Sequence, residues 1–101
     1  MARSEFLVRI EIELPGEMPA AEAEELRGRE RKRGTELRDA GHLIRIWRVP
    51  GRRSNIGIWA AASVSELHEL LASLPLFPWM SVEVQPLAAH PLEEADRRLS
   101  Q

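Results

Sequence analysis

Two charged side chains stand where the residue pattern calls for apolar ones. Glu30 shares a helical stripe with Ala23, Leu26 and Leu37, the four falling within about 60° of arc at 100° per residue. A carboxyl in such a stripe is desolvated, its pKa rises, and it can carry a proton near neutral pH. The same position also suits a structural glutamate paired with an arginine, since buried charges are commonly paired. Arg48 continues the strand face begun by Ile44 and Ile46. Its planar fork matches a carboxylate, so it either pairs with Glu30 or receives an anionic ligand. Opposite charges aimed at one interior space define a polar pocket.

Other candidates carry weaker signals. Trp47 and Trp59 fall on neighbouring strands and are expected on the sheet face turned away from the helices, as an oligomer interface more than a stacking platform. The run Arg27–Arg33 holds five basic residues in seven. It interleaves with Glu24, Glu25 and Glu36 at salt-bridging spacings, which makes it a solvated helix face. His42, His68 and His90 are too scattered to suggest a metal site. Neither a phosphate-cradling glycine loop nor a Ser-His-Asp signature is present.

These residues need elements to position them. Phe6, Val8, Ile10, Ile12 and Leu14 alternate with Arg9, Glu11 and Glu13, the mark of a half-buried strand that Pro15-Gly16 ends. Pro19 opens a helix reaching about Ala40, with early glutamates favoured by the helix dipole, and Gly41 stops it. Residues 43–49 and 55–60 form a hairpin across Pro50–Ser54. Ser63 and Glu66 spell a capping box, and Leu67, Leu70, Leu71 and Leu74 give a second helix its apolar stripe. Met80, Val82 and Val84 alternate in a last strand, and the chain from about Pro86 reads as a polar tail. The order β-α-β-β-α-β is the ferredoxin-like plan in the α+β class: a four-stranded antiparallel sheet with two helices on one face.

The chain has 101 residues, 44% hydrophobic and 30% charged, which suits one domain over residues 1–101. A net charge of −2 gives no bulk drive toward nucleic acid or an anionic membrane. The absence of cysteine excludes disulfides and thiolate chemistry. Apolar stretches fall short of a membrane helix and no signal peptide is visible, so a cytoplasmic location is expected.

The strand Phe6–Pro15, the Glu-Met-Pro entry to the first helix, Glu30, Ile46-Trp47-Arg48, Asn55, Leu74-Pro-Leu-Phe-Pro-Trp-Met80 and His90-Pro91 together resemble muconolactone Δ-isomerase. The likeness runs without evident gaps from about Phe6 to Pro91. It implies a ferredoxin-like subunit, dimers that exchange C-terminal segments (about residues 87–101) and a ring-like homodecamer. It also implies a cofactor-free enzyme of the β-ketoadipate pathway of aromatic breakdown, shifting the ring double bond of muconolactone to give 3-oxoadipate enol-lactone. By matching position, Glu30 would be the base and Arg48 would bind the acetate carboxylate or steady dienolate charge. Asn55 would hydrogen-bond the lactone oxygen, and Phe77 would wall off water.

Two positions depart from the family pattern. Arg53 stands where the family usually shows Tyr, and Arg45-Ile-Trp-Arg48 replaces its His-Leu-Trp-Arg. Arg53 adds positive charge near the pocket mouth, which leaves a chlorinated muconolactone handled by a dehalogenating relative, or another unsaturated lactone acid, open as substrate. The runner-up is a non-catalytic oligomeric module that holds a small acid, with Glu30 merely paired to Arg48.

Overall fold

The structure, a computed structural model, describes residues 3–93. Four strands and two helices follow in the expected order: β1 (Ser4–Ile12), α1 (Ala20–Asp39), β2 (Leu43–Arg48), β3 (Ser54–Ala61), α2 (Val64–Ala72) and β4 (Met80–Leu87). The antiparallel sheet runs β2-β3-β1-β4, so the first and third strands lie at its centre. That is the ferredoxin-like arrangement. Among the described residues no helix is long and apolar enough to cross a membrane.

Local chemistry explains the boundaries. Pro19 precedes α1 with φ −59°, and Gly41 follows it at φ +81°, a left-handed conformation that glycine adopts without strain. Ser63 caps α2 by accepting from the Glu66 N–H at 3.0 Å, and Glu66 answers by accepting from the Ala62 N–H at 2.8 Å. The reciprocal bond thus lands one residue before its usual place in a capping box.

The core forms where the helices meet the sheet. Phe6, Val8 and Ile10 from β1, Leu37 from α1, and Leu67, Leu71 and Leu74 from the α2 segment are all buried there, together with Trp59 at 2% exposure. The position of Trp59 corrects the expectation that both tryptophans share the outer face. Side chains alternate along β3, and Trp59 lies directly opposite Phe6 on β1, so Trp59, Gly57 and Asn55 all face the helices. Trp47 pairs with Ile56, which puts it on the far face. There it stays 45% exposed, with the Arg45 guanidinium 4.8 Å over its ring. The register shifts between Leu43 and Arg45, so Ile44 leaves the inner row, and Leu43, Ile46 and Arg48 face inward opposite Trp59, Gly57 and Asn55.

The polar tail also begins later than the pattern indicates. β4 continues through Pro86 to Leu87, paired to Phe6 and Glu5. Pro86 is tolerated because β4 is an edge strand whose other side needs no donor. A helical turn starts at Pro91, where His90 Nδ1 accepts from the Leu92 N–H at 3.1 Å. The expected packing of the tail on a neighbouring subunit falls largely on residues 94–101, outside the described residues.

Candidate active site

Glu30 of α1 shares a cavity with the hairpin end of the sheet, where β2 finishes at Arg48 and β3 begins at Ser54. The cavity measures about 630 Å³, with Glu30, Arg48, Arg53 and Asn55 all in its wall. Its apolar lining comes from Ile12, Leu14, Ile46 and Leu76, and Trp47 of β2 also borders it. Arg48 and Asn55 are cross-strand partners, so one pairing of the hairpin presents a cation and an amide side by side.

Glu30 is only partly buried, yet its carboxyl sits above the ordinary value because desolvation disfavours the charge. A single bond works in the opposite direction. The Leu76 N–H donates to Glu30 Oε1 at 2.9 Å, which favours the carboxylate form. Oε2 is left to act. Among the described residues the ion pairs are Arg27–Glu24, Arg33–Glu36 and Arg52–Glu11, so Glu30 and Arg48 share the cavity without being locked together.

Phe77 lies apart from the other candidates. It is half-buried against the core, and its ring meets His68 edge-on at 6.1 Å between centroids. Its neighbour Leu76 supplies both the wall and the bond to Glu30. Leu76 was not legible in sequence, because a backbone N–H gives no side-chain signal. The basic run is also more than a solvated face. Arg27 and Arg31 border the cavity while Arg33 binds Glu36 and Ser73 outside it. Arg27 lies three residues before Glu30 and four before Arg31, and that spacing is the signal that could have found them.

Comparison with known proteins gives the family of the chain. The family model for muconolactone delta-isomerase matches residues 4–93. Muconolactone Delta-isomerase of Cupriavidus pinatubonensis is 43% identical over 86 residues, covering 85% of this chain and 94% of that protein. The Acinetobacter baylyi protein of the same name is 40% identical over 91 residues, covering 90% and 95%. A crystal structure of muconolactone isomerase superposes with a TM-score of 0.81 at 36% identity, covering 86% of this chain and 91% of that one. With sequence and fold in agreement across the elements that build the cavity, the chain belongs to the muconolactone Δ-isomerase family.

Proposed function

We propose that this chain converts muconolactone to 3-oxoadipate enol-lactone by a cofactor-free 1,3 proton shift in aromatic breakdown. The hydrogen on the ring carbon that bears the acetate arm is γ to the lactone carbonyl through the ring double bond. Its removal gives a dienolate that the carbonyl stabilises. Return of the proton to the α carbon leaves the double bond moved by one position.

Glu30 is the base. Its Oε2 takes the γ proton and returns it from the same face, while the Leu76 N–H steadies Oε1. Partial burial holds its basicity above that of a solvated carboxylate, which brings it closer to what abstraction from carbon needs. Arg48 anchors the acetate carboxylate through its fork, and Asn55 beside it donates to the lactone oxygen as charge develops there. Arg53 adds positive charge to the same wall. Leu76 shields the base directly, and Phe77 supports that loop from behind through its contact with His68.

The reading extends to assembly. The outer sheet face carries Trp47 at 45% exposure beside Ile56 and Ile58, apolar surface that association with further copies would cover. Dimers exchanging C-terminal segments, built into a cytoplasmic homodecamer, fit that face.

The observation that carries the proposal is a half-buried carboxylate with raised pKa, unpaired with the arginines around it, in a cavity sized for a small acid. The test is an ultraviolet assay with muconolactone on wild type and Glu30→Gln. Conversion by wild type and none by the variant is expected. Failure of correctly assembled wild type to convert muconolactone would overturn the substrate and turn attention to other unsaturated lactones, where Arg53 is the distinguishing group.

A further inference from the structure

Two buried polar atoms in the described structure lack a hydrogen-bond partner, and both belong to one face of one strand. They are Oδ1 of Asn55 and Nε1 of Trp59. One is an acceptor and the other a donor. A buried polar atom left unsatisfied loses its hydration with nothing in return, so native proteins seldom tolerate such a pair.

Gly57 lies between them. The indole Nε1 stands 3.1 Å from where a Gly57 Cβ would be, so only glycine lets the indole edge lie this close to the strand. Asn55 is the next residue along on the same face, so the amide oxygen and the indole N–H flank the bare backbone of Gly57. No direct bond joins the two groups, and one water between them would satisfy both.

We propose that Asn55, Gly57 and Trp59 form a built hydration site. A water there accepts from the Trp59 indole and donates to Asn55 Oδ1. Trp59 is then a positioning residue. By engaging Oδ1 on the inner side, it fixes the amide so that the NH₂ faces the cavity, the orientation required to donate to a lactone oxygen. Without that restraint the amide can turn over and present its own oxygen to the developing negative charge, which repels it. This inference rests on the proposed role of Asn55 as donor.

The test has a structural and a kinetic arm. A crystal structure of the assembled wild type at high resolution is expected to show an ordered water within about 3.2 Å of both atoms. Trp59→Phe keeps an aromatic ring in the core, loses the volume of the second ring, and removes the donor. It is expected to lower kcat about tenfold, the scale of one hydrogen bond, with KM within about twofold. Asn55→Ala alone should lower kcat by about 100-fold, as loss of a charge-stabilising donor does. Trp59→Phe added to Asn55→Ala should have no further effect, because the indole acts only through the amide.

Absence of the water, or additive losses in the double variant, would overturn the proposal even if the isomerase activity is real. Full turnover by Asn55→Ala would instead place the fault with the assignment of Asn55 to the reaction, and the positioning role would fall with it. Should Trp59→Phe fail to assemble, the wild-type crystal structure still decides the question.

Discussion

The backbone N–H of Leu76 donates to Oε1 of Glu30 at 2.9 Å, joining the middle of α1 to the loop after α2 across 46 residues of chain. The bond has two consequences. It sets which carboxylate oxygen is engaged and which is free, and it partly offsets the desolvation that raises the pKa. The loop Leu74–Trp79 thereby holds the Glu30 carboxylate in place.

Replacing Glu30 with Gln keeps the size of the side chain and removes the proposed base. Turnover should fall by about 10²–10⁴-fold, the range of a positioned general base, with the assembly unchanged by light scattering. A variant retaining most of the wild-type rate would remove Glu30 from the mechanism.

The same variant makes a prediction about stability. Because the folded-state pKa of Glu30 is raised, the folded chain holds this proton after the unfolded chain has released it. Wild-type stability therefore declines as pH rises from the ordinary carboxyl range through the folded-state value, then levels off. Glu30→Gln lacks that term. Its stability relative to wild type should climb over the same window, as read by urea denaturation at a series of pH values. A difference that stayed flat with pH would contradict the raised pKa. The pH–rate profile should show activity lost on the acid side, with a midpoint above the usual carboxylate range.

Arg48 and Arg53 should separate by effect. If Arg48 binds the acetate carboxylate, Arg48→Ala should raise KM by about 10- to 100-fold, since a hydrogen bond to a charged group contributes about 1.5–3 kcal/mol. Arg53→Tyr restores the residue usual in the family. It should change the ranking of lactone substrates more than the rate on muconolactone. Steady-state kinetics on a small panel of lactone acids would show either pattern.

Two glycines at the ends of one argument about α1 should respond in opposite directions. Gly34 lies inside the helix with open space around its missing side chain, so Gly34→Ala should stabilise by up to about 1 kcal/mol. Gly41 has φ +81° and a guanidinium nitrogen of Arg3 3.1 Å from the would-be Cβ. Gly41→Ala should destabilise by about 1–2 kcal/mol. Thermal or urea melts of both variants test this directly; a stabilised Gly41→Ala would contradict the left-handed helix stop.

The residue pattern alone determined the element order, the strand and helix periods, and the anomaly of Glu30 on an apolar stripe. These are properties of period two and period 3.6, which any fold must respect. Arg48 was legible for the same reason, through its alternation with Ile46, whereas Asn55 entered only through the family resemblance. Trp59 was misread because β3 is apolar on both faces, Ile56 and Ile58 on one and Trp59 with Ala61 on the other, so alternation gave two faces and no choice between them. The tertiary structure made that choice by pairing Trp59 with Phe6 and packing it under the helices. It also decided the reach of β4 through Pro86, the register shift that drops Ile44 from the inner row, and the recruitment of Arg27, Arg31 and Leu76 to the cavity. Each of these depends on contacts between segments far apart in the chain. A backbone N–H such as that of Leu76 is the same in every residue but proline, so only its place in space could single it out.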